Sequence, residues 1–210
     1  EAERIRYLAE HDTLTGLINR NTLHAGLAAM ISRADEDKCE VALLVIGLEG
    51  FQQINHMLGH ASGDLVLRAI SARLTTAIPA TGMVARLSGD EFAIAVCTSD
   101  IDENVSRFAD QIGASFDAPL LAGNREHRVR VSIGAAVFPG GGRSADELLS
   151  NSHMALSRAR ATRRGGYVMF EDNIRRELET RLTLEAELAQ AAERGEFELF
   201  YQPQFHLADG

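Results

Sequence analysis

A strand-turn-strand pattern at residues 82–97 constrains this chain more than any other stretch. Gly82-Met83-Val84-Ala85 leads into Arg86-Leu87-Ser88-Gly89-Asp90-Glu91-Phe92, and Ala93-Ile94-Ala95-Val96-Cys97 leads out. Both flanks have strand composition, and Ser88-Gly89-Asp90 supplies the small residues of a tight turn. The spacing predicts a β-hairpin with two adjacent carboxylates, Asp90 and Glu91, at its tip. Glycine there admits a phosphate against the backbone, because no Cβ blocks it. Carboxylates there suit a hard divalent cation that bridges to phosphate oxygens. The plain alternative is an ordinary hairpin with a solvated acidic turn.

Other elements follow from periodicity. Val41 to Leu48 is a nearly unbroken apolar run, read as a buried central strand whose C-terminal end meets the hairpin tip. Residues 1–10 read as a helix with a thin stripe of Ile5 and Leu8, and 12–20 as a turn-rich loop. A helix capped by Asn21 or Thr22 runs to about Ala34, with Leu23, Leu27, Met30 and Ile31 on one face. Residues 55–64 read as helix, loop, helix, with Asp64 opening the helix from Leu65 to Ala77. Asp102 to Phe116 is amphipathic, and Arg125 to Phe138 reads as strand. Ser144 and Glu147 form a capping box for a helix with a stripe of Leu148, Leu149, Ser152, Ala155, Leu156 and Ala159. Tyr167 to Phe170 is a short last strand. Asn173 to Arg194 is a charged connector helix ended by Gly195.

The net charge of −9 excludes nucleic acid as a general partner, since phosphate binding needs clustered cations. Arg158, Arg160, Arg163 and Arg164 are the local exception. No apolar run approaches the ~18 residues of a membrane span, and no cleavable signal precedes the first helix. That helix lacks a start signal, as if it ran in from an upstream domain. Cys39 and Cys97 are too few for a disulfide framework, so a reduced, cytoplasmic setting is expected.

Ser88-Gly89-Asp90-Glu91-Phe92 resembles the GGDEF signature of bacterial diguanylate cyclases, with Ser for the first Gly. Asp12 to Arg20 resembles the family's D-x-L-T-G-L-x-N-R. Residues 47–64 resemble D-x-D-x-F-K-x-I-N-D-x-x-G-H-x-x-G-D, matching at Phe51, Ile54, Asn55, Gly59, His60, Gly63 and Asp64. Departures are Gly47 and Glu49 for the two Asp, Gln52 for Lys and His56 for Asp. Ser152 to Gly165 resembles the closing A-D-x-A-L-Y-x-A-K-x-x-G-R. The matches cover about residues 11 to 170. The resemblance implies an α/β (α+β) fold of nucleotide-cyclase or ferredoxin-like type, with a mainly antiparallel sheet of about five strands flanked by helices. The expected division is a linker helix (1–10), a GGDEF domain (11–171), a connector helix (172–195) and, at 196–210, the start of a truncated EAL phosphodiesterase domain.

The implied reaction joins two GTP molecules, one on each protomer of a dimer, into cyclic di-GMP with the help of Mg²⁺. By resemblance, Asn55 and Asp64 read guanine, with His60 nearby and Ser88 and Gly89 at the nucleotide. An alternative for Asn55 and Asp64 is capping around a helix break. Arg160 and Arg164, at i and i+4, are implied phosphate ligands; the alternative is that they offset the helix macrodipole. Metal is implied at Asp90, with Glu91 in the catalytic pair, and at the Leu48 backbone carbonyl. The metal-bridging carboxylate expected at position 47 is missing. Glu49 shares its strand face but would have to reach back about 6–7 Å. Gln52 removes a cation expected near the transition-state phosphate. The family's inhibitory R-x-x-D motif should fall on Pro79 to Gly82, and neither end fits. Three readings stay open: a weak or silent cyclase that binds GTP and tunes an attached EAL domain under an upstream sensor, a working cyclase, and a nucleotide-free scaffold.

Overall fold

The computed structural model describes residues 2–79, 81–98, 101–162 and 166–202. It divides into two compact units, Glu1–Ile174 and Arg175–Gly210.

The first unit is built on a six-stranded sheet. In chain order its strands are β1 (Ile18–Asn19), β2 (Glu40–Glu49), β3 (Met83–Ser88), β4 (Glu91–Thr98), β7 (Arg130–Phe138) and β8 (Gly166–Met169). They lie in the order β1-β3-β4-β2-β7-β8. The four inner strands are antiparallel, and β1 and β8 add parallel edges. A separate hairpin pairs β5 (Leu120–Ala122) with β6 (Arg125–His127).

Strand β2 lies at the centre and is buried from Val41 to Leu48. Both its faces are covered, which is why its sequence does not alternate. Ala42, Leu44, Ile46 and Leu48 join a core with Val66, Ile70 and Leu74 of α4 (His60–Ala77) and Val105 and Ile112 of α5 (Ile101–Ser115). On the other face lie α2 (Arg20–Asp37) and α6 (Ala145–Ala161). The expected stripe of α6 is buried at every position. Half of its capping box forms as expected: Ser144 Oγ accepts from the Glu147 N–H, but Glu147 Oε2 reaches one residue further back and accepts from the Arg143 N–H at 2.7 Å. Short α1 (Ala2–Glu10) and α3 (Phe51–Leu58) complete the unit. Helix α7 (Asp172–Glu193) begins in the first unit, and its part in the second leaves Leu182, Leu184 and Leu188 exposed.

Several expectations need correction. The main sheet has six strands, because Ile18 and Asn19 leave the predicted loop to pair with Ala85 and Arg86. Asn19, not Asn21 or Thr22, caps α2 by accepting from the Thr22 N–H. The stretch 125–138 holds two strands: after the turn at Gly123 (φ +63°) β6 pairs back on β5, and β7 starts only at Arg130, where it pairs with β2. Asp64 does not open its helix; Gly59, at φ +83°, breaks the chain earlier and α4 starts at His60. Cys39 and Cys97 form a disulfide, Cα to Cα 5.9 Å. The β2–β4 register opposes Val41 to Cys97, so Cys39 falls within reach. Residues 196–202 carry no strand, and Phe197, Leu199, Phe200 and Tyr201 are exposed; 203–210 lie outside the described residues.

Candidate functional site

The end of β2 meets the hairpin tip as the sequence predicts. Gly47 opposes Glu91 on one side and Ser132 on the other, and the Leu48 N–H donates to the Asp90 carbonyl at 3.2 Å. The turn closes at Gly89, whose φ of +49° a side chain rarely adopts. A β-bulge at Leu87 shifts the register between Arg86 and Ser88. Arg86 then folds over the turn. Its Nε and Nη2 donate to the Gly89 carbonyl at 3.2 and 2.9 Å, and its Nη1 donates to the Asp12 carboxylate at 3.1 Å. Asp12 also accepts from the Thr15 N–H and hydroxyl. Burial pushes the Asp12 carboxyl up, but these bonds outweigh it and hold the group below the usual carboxylate range. The Asp12–Arg86 brace is a site feature the sequence reading missed. Its only signal was an arginine just before a turn and an aspartate in a loop matched for other reasons.

Glu91 is the hub of the tip. Its Oε1 accepts from Arg160 Nη1 at 3.1 Å, and its Oε2 faces His153 Nε2 at 3.3 Å. His153 Nδ1 lies 2.8 Å from the Leu149 carbonyl. Both ring nitrogens therefore face acceptors, and only the imidazolium can donate to both. The Glu91 bond raises the His153 pKa against burial, with help from the Leu149 carbonyl and against Arg20. In return the His153 bond, against burial and with the charges of His153 and Arg160, holds Glu91 below its ordinary value.

Arg160 does more than pair with Glu91. A Cβ placed on Gly47 would lie 2.7 Å from Arg160 Cζ, so the guanidinium sits in the space a side chain at 47 would need. Glu49 turns back along the strand after all: its Oε1 accepts from Ser132 Oγ, the ladder neighbour of Gly47, at 2.6 Å. Arg164, expected to share the face of Arg160, lies outside the described residues.

The other half of the site is the break between α3 and α4. The Gly59 N–H donates to the Asn55 carbonyl at 2.9 Å. The Asn55 amide then lies over Gly63, where a Cβ would come 3.0 Å from Asn55 Cγ. Asn55 Oδ1 is buried and has no hydrogen-bond partner among the described residues. Asp64 follows in α4, half-buried, while His60 at the helix start and Gln52 in α3 are exposed.

A family model described as diguanylate cyclase, GGDEF domain, matches residues 9–166. This chain belongs to the GGDEF family. An uncharacterized signaling protein of Caulobacter vibrioides is 36% identical over 209 residues, 99% of this chain and 26% of that protein. The bifunctional diguanylate cyclase/cyclic di-GMP phosphodiesterase MucR of Pseudomonas aeruginosa is 34% identical over 203 residues, 97% of this chain and 30% of MucR. The solved GGDEF domain of Pseudomonas aeruginosa TpbB matches with a TM-score of 0.77 at 35% identity, covering 80% of this chain and 99% of that one. The chain thus spans less than a third of those two curated relatives' lengths.

The residues of this GGDEF domain do not fit a Mg²⁺ pair. Position 47 offers no carboxylate and is covered by a cation. Glu91 is paired with Arg160 and His153, and Glu49 with Ser132, which leaves half-buried Asp90 as the one carboxylate of the implied set without a described ion pair. Among the described residues no three His, Cys, Asp or Glu side chains gather into a metal-holding group. Within the same limits, no helix is long and apolar enough to cross a membrane.

Proposed function

We propose that this GGDEF domain binds GTP in a regulatory role and cyclises it weakly or not at all. Asn55 Oδ1 carries the reading. A buried acceptor without a partner costs about 1–3 kcal/mol, and such a group is retained where a ligand completes it. Guanine offers N1–H and N2–H donors on the edge that Asn55 would face, and adenine offers no such pair. Asp64, nearby in sequence and half-buried, adds a second acceptor. At the other end Ser88, Gly89 and Arg160 would lie along the phosphates. The missing carboxylate at 47 accounts for the weak chemistry.

In the full-length protein this domain would precede an EAL phosphodiesterase domain and follow a sensory one, in the cytoplasm and as a possible homodimer. The apolar residues 197–201 fit the start of such a domain, and MucR joins both activities in one chain. Calorimetry on the 210-residue chain tests the core of the proposal. GTP should release heat in the micromolar range and ATP should bind at least tenfold more weakly. Equal affinities would remove the guanine reading. Rapid production of cyclic di-GMP from GTP would replace the regulatory role with catalysis.

A further inference from the structure

Arg160 reaches Gly47 from the last turn of α6, and glycine is the residue that lets it arrive. Any side chain at 47 begins with a Cβ, and that atom would collide with the guanidinium. The absent carboxylate and the seated cation are two halves of one arrangement. A carboxylate together with the dication it holds contributes one positive charge to its place in a site. A guanidinium in the same place contributes the same charge with no ion.

We infer that Arg160 stands in for a divalent cation, so that the phosphates of a nucleoside triphosphate are bound here without Mg²⁺. The inference rests on the GTP reading above and deepens it. Three observations support it. Two of the three carboxylates that would hold an ion are engaged, Glu91 with Arg160 and His153 and Glu49 with Ser132, so Asp90 alone would be left to grip it. A dication added at Gly47 would meet the Arg160 charge at close range, and like charges repel strongly where water is partly excluded. Finally, Arg160 has donors to spare. A guanidinium carries five N–H groups in a planar fork matched to phosphate oxygens, and Glu91 accepts from Nη1. Glu91 thereby acts as a positioning residue, aiming the fork rather than touching nucleotide.

The test is GTP calorimetry on the full chain in EDTA and again in excess Mg²⁺. The expected dissociation constants agree within about twofold, and Mg²⁺ titrated alone gives no heat. Affinity that falls tenfold or more in EDTA overturns the inference and leaves the GTP reading standing. Absence of GTP heat in both buffers overturns the GTP reading and this one with it. Gly47→Asp supplies the second arm, with circular dichroism to confirm folding. The new carboxylate displaces the guanidinium, and GTP binding becomes Mg²⁺-dependent by at least tenfold. A Gly47→Asp protein whose GTP affinity is as strong in EDTA as the parent's overturns the claim that the seated guanidinium does an ion's work.

Discussion

The two ends of the site are built on opposite principles. At the α3–α4 break a polar atom, Asn55 Oδ1, is buried with no hydrogen-bond partner among the described residues. At the hairpin tip side chains pair with one another: Glu91 holds Arg160 and His153, and Glu49 accepts from Ser132. One end is left short of a partner and the other draws its acid and bases together. An open acceptor is destabilising unless a ligand arrives, whereas an internally paired cluster stabilises the free protein. The difference teaches that recognition and chemistry are separable in this fold. On the proposed reading, the elements that face a base are kept while those that would hold metal are rewired.

The comparison breaks most violently at Gly134. This residue of β7 lies under α6, the helix that carries both Arg160 and His153. A Cβ there would stand 2.6 Å from Leu156 Cα and closer still to the Leu156 nitrogen and the Ser152 carbonyl oxygen. Backbone atoms cannot swing aside as a side chain can. Gly134→Ala should therefore destabilise the protein by about 3 kcal/mol, the upper part of the usual overpacking range. For a chain of this size that lowers Tm by roughly 10 °C. A thermal melt within about 2 °C of the parent would show that α6, and the paired cluster with it, is seated less firmly than this packing states.

The opposite end sharpens at Gly63. A Cβ at this position meets a side chain, Asn55, with Phe51 Cζ at 3.2 Å. Side chains yield, and alanine is the better helix former by up to about 1 kcal/mol. Gly63→Ala should leave Tm unchanged or slightly higher while pushing the Asn55 amide off its place. GTP affinity should fall about tenfold, equivalent to about 1.4 kcal/mol. Unaltered GTP binding in a well-folded Gly63→Ala protein would take Asn55 out of the guanine contact.

Much of this was legible in the sequence, and the exceptions share a cause. The hairpin, the buried run of β2 and the stripe of α6 are local patterns, and periodicity reports local patterns well. The meeting of Gly47 with Glu91 followed from two such patterns and one family likeness. What stayed hidden depends on register between distant segments. Arg160 reads as an implied phosphate ligand or a helix-end cation, and only the sheet shows that it lodges on Gly47. Asp12 and Arg86 join a loop to a turn across the sheet edge. Cys39 and Cys97 looked like two isolated thiols until β2 and β4 were aligned. The β5–β6 hairpin is different, because Gly123-Asn124 between short apolar and polar runs was a readable turn signal that went unused. The helix break was misplaced because Asp64 is a good cap by type, while Gly59 had already supplied the conformation the chain needed.

The smallest effect is a pH window, and it probes the paired end alone. The His153 pKa is raised in the folded protein, mainly by Glu91, so its contribution to stability is fully present below the unfolded value near 6.5 and is lost as pH rises through the folded one. Glu91 is shifted the other way, first by His153. Its contribution is present above the unfolded value near 4.5 and is lost as pH falls through the folded one. The two overlap between those unfolded values, so the cluster should stabilise most in mildly acidic buffer. The side chains are 20% (Glu91), 31% (His153) and 36% (Arg160) exposed, and water screens them. The gain should be on the order of 1 kcal/mol. Urea melts of the parent and of His153→Gln across pH 5 to 8 provide the measurement. Glutamine can still donate to Glu91 but does not titrate, so the parent's advantage should be largest near the acidic end of that range and shrink toward alkaline pH. A constant difference between the two proteins would mean that folding does not shift the His153 pKa, and an advantage that grows toward alkaline pH would mean that His153 is neutral in the folded state and that Glu91 is held by Arg160 alone.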